Sequence, residues 1–265
     1  MKQARIIHFK TIDSTQAQAK REQASLDIDE CTVFIANEQT EGKGTRGRHW
    51  ISPPNVNIYA TYAYLTSKLN DRHLINIPQV AAFSVVEVLR DYDLEPTYKW
   101  VNDILLSGDK ISGVLAESGE CMKDGVRSRA IFIGIGLNVN MTQNCLVESS
   151  LDCITSMRIA SGKIFDKSAV FQRLNEALLI NLKLLYTYGF TYFFDKINTV
   201  LEKFNGDLQW FDVQDGENKS HTLVKASIAG ITQHGYLRLI IDGQEKEFFS
   251  GRLLKDSEVL ALNRH

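Results

Sequence analysis

The apolar residues of this chain change period at Gly206. From Gln209 to Phe249 they fall into short runs that alternate in twos between Gly, Asp and Asn turns, with no helical stripe. Leu223–Ile231, Tyr236–Ile241 and Glu245–Phe249 read as strands, separated by turns at Gln233-His234-Gly235 and Asp242-Gly243. Alternation leaves each strand one apolar face to cover, so a run of this kind predicts a small β-barrel of about 60 residues. The expected division is therefore 1–205 for a mixed α/β unit and 206–265 for the barrel.

Upstream, both periods occur. Residues 5–9, 32–37 and 58–65 read as strands, and Asp13-Ser14-Thr15 offers capping oxygens for a helix through Ala17, Ala19 and Lys20. Apolar residues from Leu74 to Leu89 recur at three and four, predicting an amphipathic helix that ends near Tyr92. Residues 98–106 and 111–118 read as two strands joined through Ser107-Gly108-Asp109, a hairpin signal. Residues 130–140 predict a third strand of that sheet, in a central position. The segment 141–154 has little period and reads as a mobile loop. Helices are expected at 168–188 and 191–204, broken at Gly189.

Composition excludes several classes. The chain of 265 residues is 44% hydrophobic and 23% charged, enough to bury a sizeable core, and its net charge is −2. Binding to nucleic acid through bulk charge is not expected. Four cysteines (31, 121, 145 and 153) lie at irregular spacing without a C-x-x-C pair, so neither a zinc site nor a disulfide framework is expected. No apolar run approaches the ~20 residues of a membrane-spanning helix, and the N-terminus does not read as a signal peptide. Reduced cysteines and a cytoplasmic location are the expectation.

Positive charge is concentrated instead in one loop. Lys43, Arg46 and Arg48 alternate with Gly42, Gly44 and Gly47, between Gln39 and Trp50. Glycine allows close backbone approach, and the cations supply charge-assisted donors for phosphate or carboxylate oxygens. Read so, the loop is an anion cradle; a solvated basic turn is the other reading. It is not a P-loop, which would require a glycine at 37 and Ser or Thr at 44. Gly134-Ile135-Gly136 likewise lacks the third glycine of a dinucleotide fingerprint, since position 139 is Val.

Further polar residues stand where packing alone would not ask for them. These are Ser14, Thr15 and Gln16 at a strand-to-helix turn, Gln39 at the mouth of the loop, Lys99, Asn102 and Asp103 around Trp100, and Lys110 ahead of an apolar strand. Taken singly, each has a plain explanation as a helix cap, turn or surface residue.

Together these segments resemble the biotin protein ligases. The resemblance rests on Gln39-x-x-Gly42-Lys43-Gly44 running to Gly47-Arg48-x-Trp50, on Lys99-Trp100-Val101-Asn102-Asp103, on Lys110-x-x-Gly113-x-Leu115-x-Glu117 and on Gly134-x-Gly136-x-Asn138. It implies an α+β fold, with a mixed-sheet catalytic domain flanked by helices and a C-terminal SH3-like barrel. The implied chemistry is activation of biotin by ATP, with Mg²⁺, to biotinyl-5′-AMP. A lysine of a biotin carboxyl carrier protein domain then accepts the biotinyl group.

The resemblance also implies residue roles. Ser14, Thr15, Gln16, Gln39, Lys43, Gly44, Thr45, Lys110 and Gly113 would hold biotin. Lys43, Arg46, Arg48, Trp50, Lys99, Asn102, Lys110 and Asn138 would meet ATP. Lys110, Asp103 and Arg48 would be catalytic, and no residue is assigned to metal. Step one needs positioning and charge neutralisation rather than a strong base, because a carboxylate is already ionised. Asp103 would help the incoming lysine, whose amine is only about 0.04% neutral at pH 7.

Two positions depart from the family pattern: Thr45 stands where an Arg is common, and Val101 where Pro is usual. Arg46 is expected to take the larger share in retaining the adenylate. Only 13 residues precede Ser14, so a monofunctional ligase without a DNA-binding segment is the expectation. A homodimer is left open. A lipoate or octanoate transferase and a non-catalytic biotin- or nucleotide-binding regulator are the competing readings.

Overall fold

The computed structural model describes residues 4–28, 30–66, 71–148, 153–214, 221–254 and 259. Seven strands form one mixed sheet: β1 (Arg5–Phe9), β2 (Thr32–Ala36), β3 (Ile58–Thr66), β4 (Pro96–Lys99), β5 (Asp103–Leu106), β6 (Asp109–Lys123) and β7 (Val126–Leu137). Their spatial order is β1-β2-β3-β7-β6-β5-β4, with β1 and β2 parallel and the other pairs antiparallel. The 130–140 strand is central, as its apolar run predicts. The 98–106 segment is two strands rather than one, interrupted at Trp100-Val101-Asn102.

The sheet's two faces carry different loads because successive side chains point opposite ways. Ile131, Ile133, Ile135 and Leu137 of β7 face the main core together with Tyr62 and Tyr64 of β3. There α2 (Asp71–Asp91) packs on the sheet, and α5 (Lys167–Tyr188) packs on α2. Ala130 and Phe132 face the other way. They join Phe34, Ala63, Leu65 and Ala19 in a smaller cluster under α1 (Thr15–Arg21). Beyond that cluster the same face of β7 continues as Gly134 and Gly136, which leaves a hollow in the sheet.

The 141–154 segment differs from its expectation. It holds a short helix, α3 (Gln143–Glu148), and is followed by α4 (Met157–Ser161), capped by Ser156 Oγ at 3.1 Å from Ile159 N. Residues 149–152 lie outside the described residues. The second late helix, α6 (Thr191–Val200), stops earlier than its period suggests.

After it come β8 (Gln209–Gln214), β9 (His221–Ile231), β10 (Leu237–Ile241), β11 (Gln244–Phe248) and β12 (Gly251–Leu254), an antiparallel sheet of order β11-β10-β9-β8-β12. Among the described residues this sheet is not closed into a barrel: β11 and β12 are its edges. It is tied to the first unit by Trp100 Nε1, which donates to Gly235 O at 3.2 Å, and by Gln79 Nε2, which donates to the same carbonyl at 2.9 Å. Phe211, Ile231 and Leu239 continue the main core. Among the described residues no helix is long and apolar enough to cross a membrane.

Candidate active site

The hollow in the α1 face of the sheet is a cleft of about 470 Å³. Its floor follows from strand register. Thr61, Gly134 and Leu115 form one row across β3, β7 and β6, and Tyr59, Gly136 and Gly113 form the next. A Cβ on Gly134 would press on Gln16 Oε1, and one on Gly136 would overlap the Trp50 indole. Glycine at both positions is what lets those side chains lie against the sheet.

The walls come from α1 and the Gly/Arg loop. Ser14 caps α1, its Oγ accepting from Ala17 N at 3.4 Å. The next two side chains are thereby delivered inward: Thr15 is 4% exposed and Gln16 3%. Thr15 N and Oγ1 both donate to Gln39 Oε1, at 2.9 and 3.1 Å, and Gln39 Nε2 donates to Ser52 Oγ at 2.9 Å. Thr61 Oγ1 lies 2.9 Å from Thr15 Oγ1 and 3.2 Å from Gln16 Oε1. Buried hydroxyls and amides with spare donor and acceptor capacity suit a ligand that offers both.

The Gly/Arg loop is itself a small hairpin. Trp50 N donates to Gly42 O at 2.9 Å and Gly44 N to Arg48 O at 2.7 Å, and Arg46 (φ 59°) and Gly47 (φ 73°) turn the chain. Trp50 lies against the floor, its indole N–H buried and without a partner among the described residues. Lys110 Nζ stands 5.4 Å from the centre of that ring.

A second cleft of about 940 Å³ opens between this loop, α2 and β12. Arg46, Arg48, Lys99 and Asp103 line it, and Thr45 and Asn102 line both clefts. Lys110 Nζ and Asp103 Oδ1, 2.6 Å apart, join the two. Asn102 is clamped to β6, its Nδ2 donating to Val114 O at 2.7 Å.

Two carboxylates stand just behind the first cleft, next to the α1 side chains that line it. Burial would raise the Glu117 carboxyl, but hydrogen bonds from Lys20 and Gln16 outweigh it and hold the group below the usual range. Asp13, beside Ser14, is held at about 2, chiefly by its hydrogen bond to Arg21.

All nine residues expected to hold biotin line the first cleft: Ser14, Thr15, Gln16, Gln39, Lys43, Gly44, Thr45, Lys110 and Gly113. Of the residues expected to meet ATP, Lys43, Trp50, Asn102 and Lys110 line the first cleft, and Arg46, Arg48 and Lys99 the second. Asn138 lines neither. It is 3% exposed, accepts from Asn57 Nδ2 at 3.2 Å and donates to Thr155 O at 3.0 Å. Asn138, expected as a nucleotide contact, thus stands as a buried amide that anchors the end of β7.

Arg46 is turned toward the second sheet, with Nη1 3.5 Å from Asp212 Oδ2. Thr61, Tyr59, Leu115 and Glu117 were not among the expected ligand-holding residues. Leu115 and Glu117 stand in the Lys110–Glu117 motif without an assigned role, whereas the signal of Tyr59 and Thr61 lay in strand alternation, readable only once the register with β7 was known.

Comparison with known proteins agrees with this geometry. Residues 8–138 match the biotin/lipoate A/B protein ligase family. The bifunctional ligase/repressor BirA of Bacillus spizizenii is 32% identical over 190 residues, which cover 70% of this chain and 56% of that protein. This chain therefore spans little more than half the length of that curated relative. The biotin--[acetyl-CoA-carboxylase] ligase of Paracoccus denitrificans is 28% identical over 181 residues, covering 67% of this chain and 73% of that one. Among solved structures, the biotin protein ligase from Aquifex aeolicus in complex with biotin and ATP superposes with a TM-score of 0.74 at 26% identity, covering 95% of this chain and 99% of that one. On fold, motif order and similarity together, residues 8–138 of the chain are a domain of the biotin/lipoate A/B protein ligase family.

Proposed function

We propose that the protein is an ATP-dependent ligase that activates biotin as biotinyl-5′-AMP and transfers the biotinyl group to a lysine of a biotin carboxyl carrier protein domain. The observation that carries this reading is the Lys110–Asp103 pair, 2.6 Å apart, where a polar pocket meets a cation-lined cleft. The similarity to ligases whose names and structures include biotin and ATP supports it.

In the first step a biotin carboxylate oxygen attacks the α-phosphorus and pyrophosphate leaves. Thr15, Gln16 and Gln39 hold the ureido ring. Lys110 bridges the carboxylate and the α-phosphate, where negative charge concentrates in the transition state. Lys43, Arg46, Arg48 and Lys99 offset the phosphate charge, and Trp50 and Asn102 border the nucleotide.

In the second step the carrier lysine's amine attacks the acyl carbon, AMP departs, and Asp103 takes or orients the amine proton. Among the described residues no group of three or more His, Cys, Asp or Glu could hold a metal. Mg²⁺ would enter with the nucleotide and share the pyrophosphate charge, and no step is drawn through it. Units 1–205 and 206–265 are taken to act together, in the cytoplasm.

Incubation with ATP, labelled biotin and an apo-carrier domain tests the reading. Label should reach the carrier only with ATP present, and labelled lipoate in its place should not. Transfer of lipoate but not biotin would overturn the assignment, and binding of biotin without transfer would favour a regulator.

A further inference from the structure

Glu117 lies on β6 opposite Phe132, one row behind the floor formed by Leu115 and Gly134. Its Oε2 accepts from Gln16 Nε2 at 2.9 Å and its Oε1 from Lys20 Nζ at 2.6 Å. Two more acceptors surround the same amide nitrogen, Leu115 O at 3.4 Å and Phe132 O at 3.5 Å. On the other side, Gln16 Oε1 has the Thr61 hydroxyl 3.2 Å away.

A carboxylate has no proton to give, so its partner must be a donor. Reversing the Gln16 amide would set its carbonyl oxygen against a negative charge and two peptide carbonyls. At 3% exposure the side chain has little access to solvent that could compensate. Only one orientation of the amide is left.

We infer that Glu117 is a positioning residue for substrate recognition: by fixing the Gln16 amide it makes the pocket present an acceptor, Oε1, to the ureido N–H of biotin. Lys20, on the next turn of α1, donates to the other Glu117 oxygen and, with Gln16, favours its charged form against burial. The ion pair is 44% and 36% exposed at its two side chains, and such pairs add little to stability. Orientation of the amide is what the arrangement secures. The inference rests on the biotin reading above, and it concerns only how that ring is selected.

The test is Glu117→Gln, which keeps the shape but can donate as well as accept, so that a negative charge no longer opposes reversal of the Gln16 amide. Calorimetry should show biotin bound about tenfold more weakly, with ATP affinity within about twofold of the unaltered chain. In combination with Gln16→Ala the substitution should cost nothing further, because the residue it orients is gone. The side-chain NH₂ resonances of Gln16, identified by their loss in Gln16→Ala, should shift in Glu117→Gln, which verifies that the amide has lost its charged partner, while the absence of any further loss beside Gln16→Ala separates positioning from a structural role.

Lys20→Met provides a second variant that leaves Glu117 in place, with an expected loss of about two- to threefold in biotin affinity. Unchanged biotin affinity in Glu117→Gln, or additive losses with Gln16→Ala, would overturn the role of Glu117 while leaving the biotin reading intact. Should Glu117→Gln not fold, unchanged biotin affinity in Lys20→Met would do the same. Absence of biotin binding by the unaltered chain would instead remove the functional reading itself.

Discussion

Arg46 Nη1 lies 3.5 Å from Asp212 Oδ2, so the tip of the Gly/Arg loop is tied to the second sheet. Asp212 is 16% exposed at its side chain and also accepts from Arg252 Nε at 3.2 Å. Hydrogen-bond partners His221 and Arg252 outweigh its burial and hold its carboxyl below the usual range. The loop cation expected to meet phosphate is thus held by a carboxylate that phosphate would have to displace.

Asp212→Asn should therefore free the loop tip. Trypsin cleavage after Arg46 or Arg48 should speed up about threefold, in line with the small worth of a part-exposed ion pair. Arg46→Ala should increase release of free biotinyl-adenylate, scored as labelled adenylate in a filtrate; unchanged release would remove Arg46 from adenylate retention.

Lys110→Ala is expected to lower adenylate formation by about a hundredfold or more, the scale of losing one preorganised charge at a reacting centre. Its fold should persist, since Lys110 is 31% exposed at the side chain and its backbone bonds, Lys110 N to Cys153 O and Thr155 N to Lys110 O, remain. Pyrophosphate release and circular dichroism measured on one sample separate the two effects. Asp103→Asn should slow transfer to carrier more than adenylate formation.

Asn138→Ala should act on stability rather than on nucleotide. It strips Asn57 Nδ2 of an acceptor and the Thr155 carbonyl of a donor in a fully buried cluster. A loss of about 1–3 kcal/mol in urea unfolding is expected, with ATP affinity changed less than about threefold. A large loss of ATP affinity at unchanged stability would restore the nucleotide role.

Acid stability should depend on Asp13. Its folded-state value of about 2 lies below its ordinary 3.8. The carboxylate therefore stabilises the fold above the ordinary value, and that contribution disappears as pH falls toward about 2. Asp13→Asn should flatten the fall in melting temperature across that window, and an unchanged acid limb would argue that Arg21 holds nothing in place.

Local pattern was enough to read the strands around Val33, Tyr62 and Ile133, the helices over α2 and α5, and the centrality of β7, because each signal repeats within a few residues. The order of the four polar motifs likewise pointed to the chemistry before any fold was known. The break at Trp100–Asn102 and the helices at 143–148 and 157–161 escaped that reading: they are short, and tertiary contacts such as Asn102 to Val114 hold them.

What a side chain is for was decided by the fold when its partner is distant in sequence. Asn138 belongs to a motif, yet Asn57 and Thr155 hold it in the core; Arg46 sits in the cation loop, yet Asp212 claims it; Glu117 closed a motif without an assigned role until register set it behind Gln16. The chain's own chemistry therefore determined which ligands the protein is equipped to meet. Strand register and the packing of the second sheet decided which residues can reach them, because hydrogen bonds across a hundred positions depend on backbone geometry that no local period encodes.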